Sequence, residues 1–355
     1  MPRFLVDQLR PAGVAVLKGA GATDEEASLV VEHCLESLLS GEDNHGQELG
    51  TLYIPAMRDG ILQPGREMTI VKETPTTLLI DGNFNFGHYV SHHAMTRLIE
   101  KAKDHHVAAA SIRYQCHVGR LIDYTAMAAR QGMIALMMTD GAWGPKFVAP
   151  WGGAERRLGV NPWSMAVPRA GGWLGFDMTS GAVSMMKVFR AAEEDRAIPE
   201  GWIIDAQGRP TTDPNDWFRG GSALPVGGVQ GHKGYVLTFM IELLADVLSG
   251  MEFREDPSRP WPIIDGSFIA VFDVEAFRPL GEFTRDTDAM IDYVKSSSLA
   301  EGSPGIYYPG ERSQLTRAAR ISDGVPIPAR IWAQFCAYAE EYGVAGLLPQ
   351  PVADE

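Results

Sequence analysis

The chain reads as an α/β fold between two helical segments. Three observations predict it. Residues 77–139 alternate strand and helix patterns at βαβ lengths. Residues 1–60 and the stretch Ala329 to Tyr342 carry apolar residues at helical spacing. No internal repeat and no low-complexity linker divides the 355 residues, so one interlocked globule is expected.

The elements follow in order. Leu5, Leu9, Val14, Val16 and Leu17 form a first helical stripe. Thr23 to Glu26 is a helix start, with a cap residue, a carboxylate three positions on and acids in the first turn. Ala27, Val30, Val31, Cys34, Leu35 and Leu38 line one face of that helix, which ends at Ser40-Gly41. A polar loop, Glu42 to Gly46, is expected next, and Tyr53 to Asp59 resumes the helix. Strands are expected at 68–71 and 77–82, then an amphipathic helix from His88 to about His105. Val107 to Arg113 reads as a buried strand, Tyr124 to Gln131 as a helix and Met133 to Thr139 as the next strand. Gly- and Pro-rich connections are expected over 140–175. Helices at 185–196 and 234–248, a strand at 263–274 and the helix from Ala329 complete the reading.

Composition limits the function. Lys plus Arg is 31 and Asp plus Glu is 45, a formal charge of −14. Nucleic acid and anionic membranes both need a basic footprint, so neither is expected as a partner. Three cysteines with no C-x-x-C pair give neither a zinc framework nor a thioredoxin-like motif. No signal peptide and no membrane span is read, and a cytoplasmic protein is expected.

Several constellations carry chemistry. Asp43-Asn44-His45-Gly46 can project an imidazole into a cleft, a natural proton donor or acceptor near neutral pH. Taken alone, the segment reads more readily as a capping or turn histidine. Tyr114 to Arg120 follows a buried strand, and ligands bind at strand carboxyl ends in α/β folds. His117 and Arg120 there offer acid/base and anion-clamp chemistry, or a turn histidine and a surface ion pair. The Gly227 to Gly234 loop opens a helix and carries Lys233, which suits phosphate. It lacks the P-loop spacing, and no G-x-G-x-x-G follows the early strands. Asp177 to Ser180 suits ribose hydroxyls, or caps the nearby helix. His88, His92 and His93 lack a third ligand and read as a polar helix face, so no metal is expected. Cys116 reads as a small buried residue rather than a nucleophile.

Together these motifs resemble the NAD(P)-dependent malate/L-lactate dehydrogenase family, which includes sulfolactate, ureidoglycolate and diketogulonate reductases and ketimine reductases. The match runs from Asp43 to Gly46 with Tyr53, through His117 to Arg120 with Tyr124, Leu158 to Pro162 and Asp177 to Ser180. It continues in Gly201-Trp202, Thr211 to Pro214, Lys233-Gly234 and Pro309-Gly310-Glu311. The resemblance implies a sulfolactate-dehydrogenase-like, non-Rossmann α/β fold. In it, 1–75 forms a helical segment packing with 312–355, and 76–311 forms the central dinucleotide-binding domain. It also implies a homodimer and NAD or NADP as cofactor. His45 and His117 take the catalytic positions. Asn44, Leu49, Tyr53 and Arg120 take the substrate side. Asn161, Asp177, Met178, Thr179, Ser180, Lys233, Gly234, Pro309, Gly310 and Glu311 take the cofactor side.

Two positions depart from the family. Asn44 stands where Ser is usual, and Leu49 where an Arg commonly clamps the substrate carboxylate. Arg120 or Lys146 would then hold the acid, or the substrate is atypical. The ketimine-reducing members carry an Asp where this chain has Lys187, which favours hydroxy-acid chemistry. The expected activity is hydride transfer between NAD(P)H and a 2-oxo or 2-hydroxy acid with a bulky or atypical side chain. The alternatives are a cyclic ketimine reductase of the same fold and a non-catalytic dinucleotide-binding protein.

Overall fold

The computed structural model describes residues 1–252, 254–255 and 263–352. The chain opens with β1 (Arg3–Phe4), α1 (Val6–Gly19), α2 (Asp24–Leu39), α3 (Asp43–Gly46) and α4 (Ile54–Arg58). β2 (Thr69–Glu73), β3 (Thr77–Asp81), α5 (Gly87–His105), β4 (Val107–Cys116), α6 (Ile122–Ala129) and β5 (Met133–Gly144) follow. Then come β6 (Trp163–Arg169), β7 (Gly172–Met178), α7 (Met185–Glu193), β8 (Ile203–Ile204), β9 (Pro210–Thr211) and β10 (Ser222–Ala223). The last part holds α8 (His232–Glu242), β11 (Arg254–Glu255), β12 (Ile264–Asp273), α9 (Leu280–Lys295), α10 (Glu311–Asp323), β13 (Val325–Pro326) and α11 (Ala329–Glu341).

The α2 start is the expected capping box. Thr23 Oγ1 accepts from the Glu26 N–H at 3.3 Å, and the Thr23 N–H donates to Glu26 Oε2 at 2.9 Å. The other Glu26 oxygen accepts from Asn85 Nδ2 at 2.7 Å and from the Gly65 N–H at 2.8 Å. One carboxylate thus caps a helix and fastens it to the loop that starts α5.

The main sheet runs β2-β3-β4-β12-β5-β6-β7, with β11 beside β5. Only β3–β4, joined across by α5, and β11–β5 are parallel. The early strand–helix alternation leads one to expect β4 and β5 as neighbours. Instead β12 slots between them, antiparallel to both. That insertion places Asp265 opposite Gln115 at the end of β4, and Gly266 opposite Asp140 on β5.

Three further expectations change. Residues 42–46 are not a loop, because Asp43–Gly46 winds into a helical turn and Leu49–Tyr53 into a π-helical one. Residues 163–178 are not a plain connection but the hairpin β6–β7, whose inward positions are small or turn-like residues with little apolar signature. α9 was also not anticipated, and α10 was expected only as part of the helical C-terminal segment that the family resemblance implies. α10 has no buried residue, so it carries no apolar period to read.

One core unites α1, α2, α4 and the π-helical turn with Trp332, Phe335, Tyr338 and Ala339 of α11. β2, near residue 70, lies in the large sheet. A second core fills the space between that sheet, α5 and α6. Among the described residues no helix is long and apolar enough to cross a membrane.

Candidate active site

A cavity of about 1290 Å³ lies between the α2–α3 region, the end of β4, the β5–β7 surface, α7 and α10. Glu48, His45 and His117 form its most reactive wall. Glu48 Oε1 lies 3.0 Å from His45 Nδ1, and Oε2 lies 3.5 Å from His117 Nδ1. The Tyr53 hydroxyl donates to Glu48 Oε2 at 2.8 Å. The two imidazoles stack, with centroids 5.8 Å apart and planes 17° from parallel.

Local sequence explains the delivery of each group. Gly46 lets α3 lie against α2, since a Cβ there would meet Leu38 Cγ at 2.3 Å. His45 and Glu48 then stand one turn apart and face together. His117 is carried by the turn that leaves β4. Gly119 takes φ +67° in that turn, and a Cβ would meet His33 Nε2 at 2.3 Å and His88 Nε2 at 2.9 Å. The turn is held from below, because the Arg120 N–H donates to His33 Nε2 at 2.7 Å.

The hydrogen bonds assign protonation states. The Gly119 N–H donates to His117 Nδ1 at 3.2 Å, which leaves the proton of that ring on Nε2. Burial and the neighbouring His45 keep His117 below its ordinary value despite Glu48. Burial also disfavours charge on His45, but Glu48 and Asp177 outweigh it and lift His45 to about 9. Burial would raise Glu48, yet the two histidines and Tyr53 hold it down at about 2. At neutral pH the site therefore contains a His45 imidazolium, a Glu48 carboxylate and a neutral His117.

The other expected residues divide. Asn44 is exposed at the cavity mouth, and Arg120 lies on the wall with its guanidinium committed to Asp123. Tyr53 is buried behind the wall, where its hydroxyl lies 3.1 Å from His117 Nδ1 and 3.3 Å from His88 Nε2. It acts through the imidazoles rather than on a substrate. Leu49 does not face the cavity. The π-helical turn sends it into the core against Gly13, and Glu48 holds the cavity side of that turn. Lys146, considered as a clamp, is buried in a salt bridge to Asp140 at 2.8 Å and to Glu242 at 3.2 Å. His88 is not on a polar surface face. It is buried beneath Tyr53.

On the cofactor side, Asn161, Asp177, Met178, Thr179 and Gly310 line the cavity. The Asp177 carboxylate accepts from the Leu121 N–H at 2.6 Å and the Ile122 N–H at 3.1 Å, so it caps α6 rather than α7. Burial lifts it to about 6. Ser180 is buried and donates to the Val160 carbonyl. Pro309 accepts from the Gly175 N–H, and Glu311 pairs with Lys295 and accepts from the Tyr308 N–H. Lys233 is exposed and Gly234 is packed on the Val226 backbone. Neither lies on the cavity wall, so the expected phosphate contact there has no geometric support.

Three groups were missed in the sequence. Glu48 shows only as a carboxylate one helical turn after His45. Asp123 is visible only once His33 and Arg120 come together. The buried cluster of Asp140, Lys146, Glu242, Asp246 and Asp265 comes from separate elements, and its one local hint is the four-residue spacing of Glu242 and Asp246. Burial and the Asp140 charge push Asp246 up to about 11. Burial likewise pushes Asp265 well up, and its Oδ2 accepts from the Val118 N–H beside His117.

Residues 4–336 match the model of the malate/L-lactate dehydrogenase family. The chain is 33% identical over 348 residues to a malate dehydrogenase of Pyrococcus horikoshii, covering 96% of each. It superposes on the sulfolactate dehydrogenase of Methanocaldococcus jannaschii with TM-score 0.87 and 30% identity, over 97% of this chain and 98% of that one. A Δ1-piperideine-2-carboxylate reductase of Pseudomonas syringae gives TM-score 0.84 and 26% identity, over 96% and 100%. The chain belongs to the malate/L-lactate dehydrogenase family, with the fold of its sulfolactate dehydrogenase member. It is a hydroxy-acid dehydrogenase, and the family implies a nicotinamide cofactor.

The residues present fit such a cofactor. The cavity exceeds the several hundred Å³ common for small ligands. Arg130, Arg169, Arg317 and Arg330 supply positive charge along it, and Asn161 Oδ1 is a buried acceptor without a partner among the described residues.

Proposed function

We propose that the protein reduces a 2-oxo acid, or oxidises the matching 2-hydroxy acid, with His45 as the proton donor. The carrying observation is the Glu48 carboxylate between two imidazoles on the cavity wall. A nicotinamide, when bound, supplies or takes the hydride. The protein supplies the proton and the orientation. His45 engages Glu48 through Nδ1, so its Nε2–H remains to protonate the developing alkoxide. Neutral His117 donates from Nε2 and orients the same oxygen. In oxidation the deprotonated His45 takes the hydroxyl proton, so alkaline pH favours that direction.

Lys187 is the group we assign to the substrate carboxylate. Arg120 and Arg317 are engaged by Asp123 and Glu36, and Arg169 by Asp288. Of the cavity's other cations, Arg130 stacks over Trp173 and Arg330 sits in the first turn of α11, while Lys187 has no carboxylate partner among the described residues. It shares the α7 face of Arg190, whose charge feels Asp43 beside His45. The Leu49 argument for a bulky substrate loses its basis, because that side chain is in the core. A cation at Lys187 also disfavours a protonated imine, so hydroxy-acid chemistry ranks above ketimine reduction.

A homodimer fits the surface. Val236, Phe239, Met240, Leu243 and Val247 are exposed at helical spacing along α8 and the π turn after it. A cytoplasmic location fits three unbridged cysteines.

The test is loss of NADH or NADPH absorbance with a panel of 2-oxo acids. Turnover is expected with at least one acid. Lys187→Ala should raise KM for that acid about tenfold or more and leave the cofactor Kd unchanged. Binding of cofactor with no turnover on any acid, and turnover on cyclic imines, would overturn the reading.

A further inference from the structure

We propose that His45, Glu48 and His117 also form a three-ligand site for a borderline divalent cation of the zinc class, which blocks the enzyme when bound. One ligand atom from each of the three lies within 4.8 Å of the other two. A tetrahedral ion with bonds of about 2.0–2.2 Å sets its ligand atoms about 3.4 Å apart. His45 Nδ1 lies 3.0 Å from Glu48 Oε1 and His117 Nδ1 3.5 Å from Glu48 Oε2, so each imidazole stands near that edge length from its own oxygen of the carboxylate. His45 Nδ1 makes no aligned hydrogen bond, so coordination there displaces only its proton and the 3.0 Å ion pair with Glu48. His117 Nδ1 gives up the Gly119 N–H, a neutral bond of 3.2 Å. Two imidazoles with one carboxylate select zinc-like ions over Mg²⁺ or Ca²⁺, which prefer all-oxygen sites.

The surroundings support an open site. All three side chains line the cavity, which leaves the fourth position for water or a substrate oxygen. The Tyr53 hydroxyl holds Glu48 Oε2 in place, the kind of outer contact that fixes a ligand carboxylate. The five-residue cluster around Lys146 offers no comparable place, because the ammonium already occupies its centre. An ion on the two Nδ1 atoms takes the place of the proton that Glu48 holds on His45, so the imidazolium donor is lost while the Nε2 edges still face the substrate oxygen. The site is therefore inhibitory, and its occupant lowers kcat rather than competing with the acid.

The experiment uses the full chain and Co²⁺ or Cu²⁺ as probes. Co²⁺ titration should give the visible bands of a low-coordinate site at one equivalent, displaced by Zn²⁺ and unaffected by Mg²⁺. Cu²⁺ spin resonance on the unmodified protein should show two imidazole nitrogens. His45→Ala and His117→Ala should each weaken Co²⁺ by about tenfold or more, and His232→Ala, an exposed imidazole, should not. Zn²⁺ should lower kcat for the 2-oxo acid without competing with it, and a chelator should reverse it. No Co²⁺ bands at one equivalent, a Cu²⁺ signal with fewer than two nitrogens, or binding unchanged in both variants would overturn the site. These spectra need no turnover, so their failure is separate from failure of the dehydrogenase reading.

Discussion

His45 and His117 look alike in the sequence, yet the structure gives them opposite charge states. The difference lies in what each Nδ1 meets. His45 meets Glu48, while His117 accepts an amide N–H. His45→Gln should therefore lower the reduction rate by roughly 10²- to 10⁴-fold with the NADH Kd unchanged. His117→Gln should cost less, because its amide still donates to the oxygen. Stopped-flow rates for both variants, with a chelator present, check the order. Equal losses would assign both rings as acids. Both histidines were legible as candidates from their polar, glycine-adjacent settings. Glu48 was not, because a carboxylate on a helical stretch reads as a solvated face until Tyr53 and His117 arrive from elsewhere. Leu49 misled for the same reason. The family resemblance placed it on the substrate side, but a π-helical turn rotates successive side chains differently from an α-helix.

At the scale of elements, the turn after β4 is the most constrained piece of the site. Gly119→Ala combines a left-handed backbone with overlap on two buried histidine rings. About 3 kcal/mol of destabilisation is expected from strain and overpacking together. Denaturant unfolding measures it. A loss under about 1 kcal/mol would mean that His33 and His88 move aside freely. Helices with strong apolar periods, α2 and α5, were read to within a residue or two. The hairpin β6–β7 was not, because small residues, Pro168 and several glycines hide the two-residue alternation. α10 was not readable from periodicity, only from the family resemblance, because a helix lying on the surface needs no apolar stripe.

At the scale of the molecule, residues far apart in sequence build one cavity. α2, α3, the turn after β4, β7, α7 and α10 all contribute to its wall. The order β4-β12-β5 brings Asp265 to the base of the His117 turn, a placement no local pattern announces. The fold class was legible from periodicity, and the mixed sheet was not, because strand order depends on a late strand inserting between two early ones. The exposed α8 face belongs to this scale as well. Phe239→Glu should convert a dimer to monomer in sedimentation, since it sets a charge in the centre of an apolar patch. An unchanged sedimentation coefficient would place any interface elsewhere.

The central claim is that Glu48 keeps His45 protonated as the donor. A group raised to about 9 is charged below that pH and loses its proton above it. Reduction should therefore be level through neutral pH and fall above about pH 9. In Glu48→Gln the main raising charge is gone, and only Asp177 still opposes burial and Arg120, so the His45 value falls. The direct measurement is the pH dependence of kcat/KM for 2-oxo acid reduction in both proteins, with a chelator present. The account predicts that the alkaline limb moves from about pH 9 to clearly lower pH. A limb at the same pH in both would contradict it.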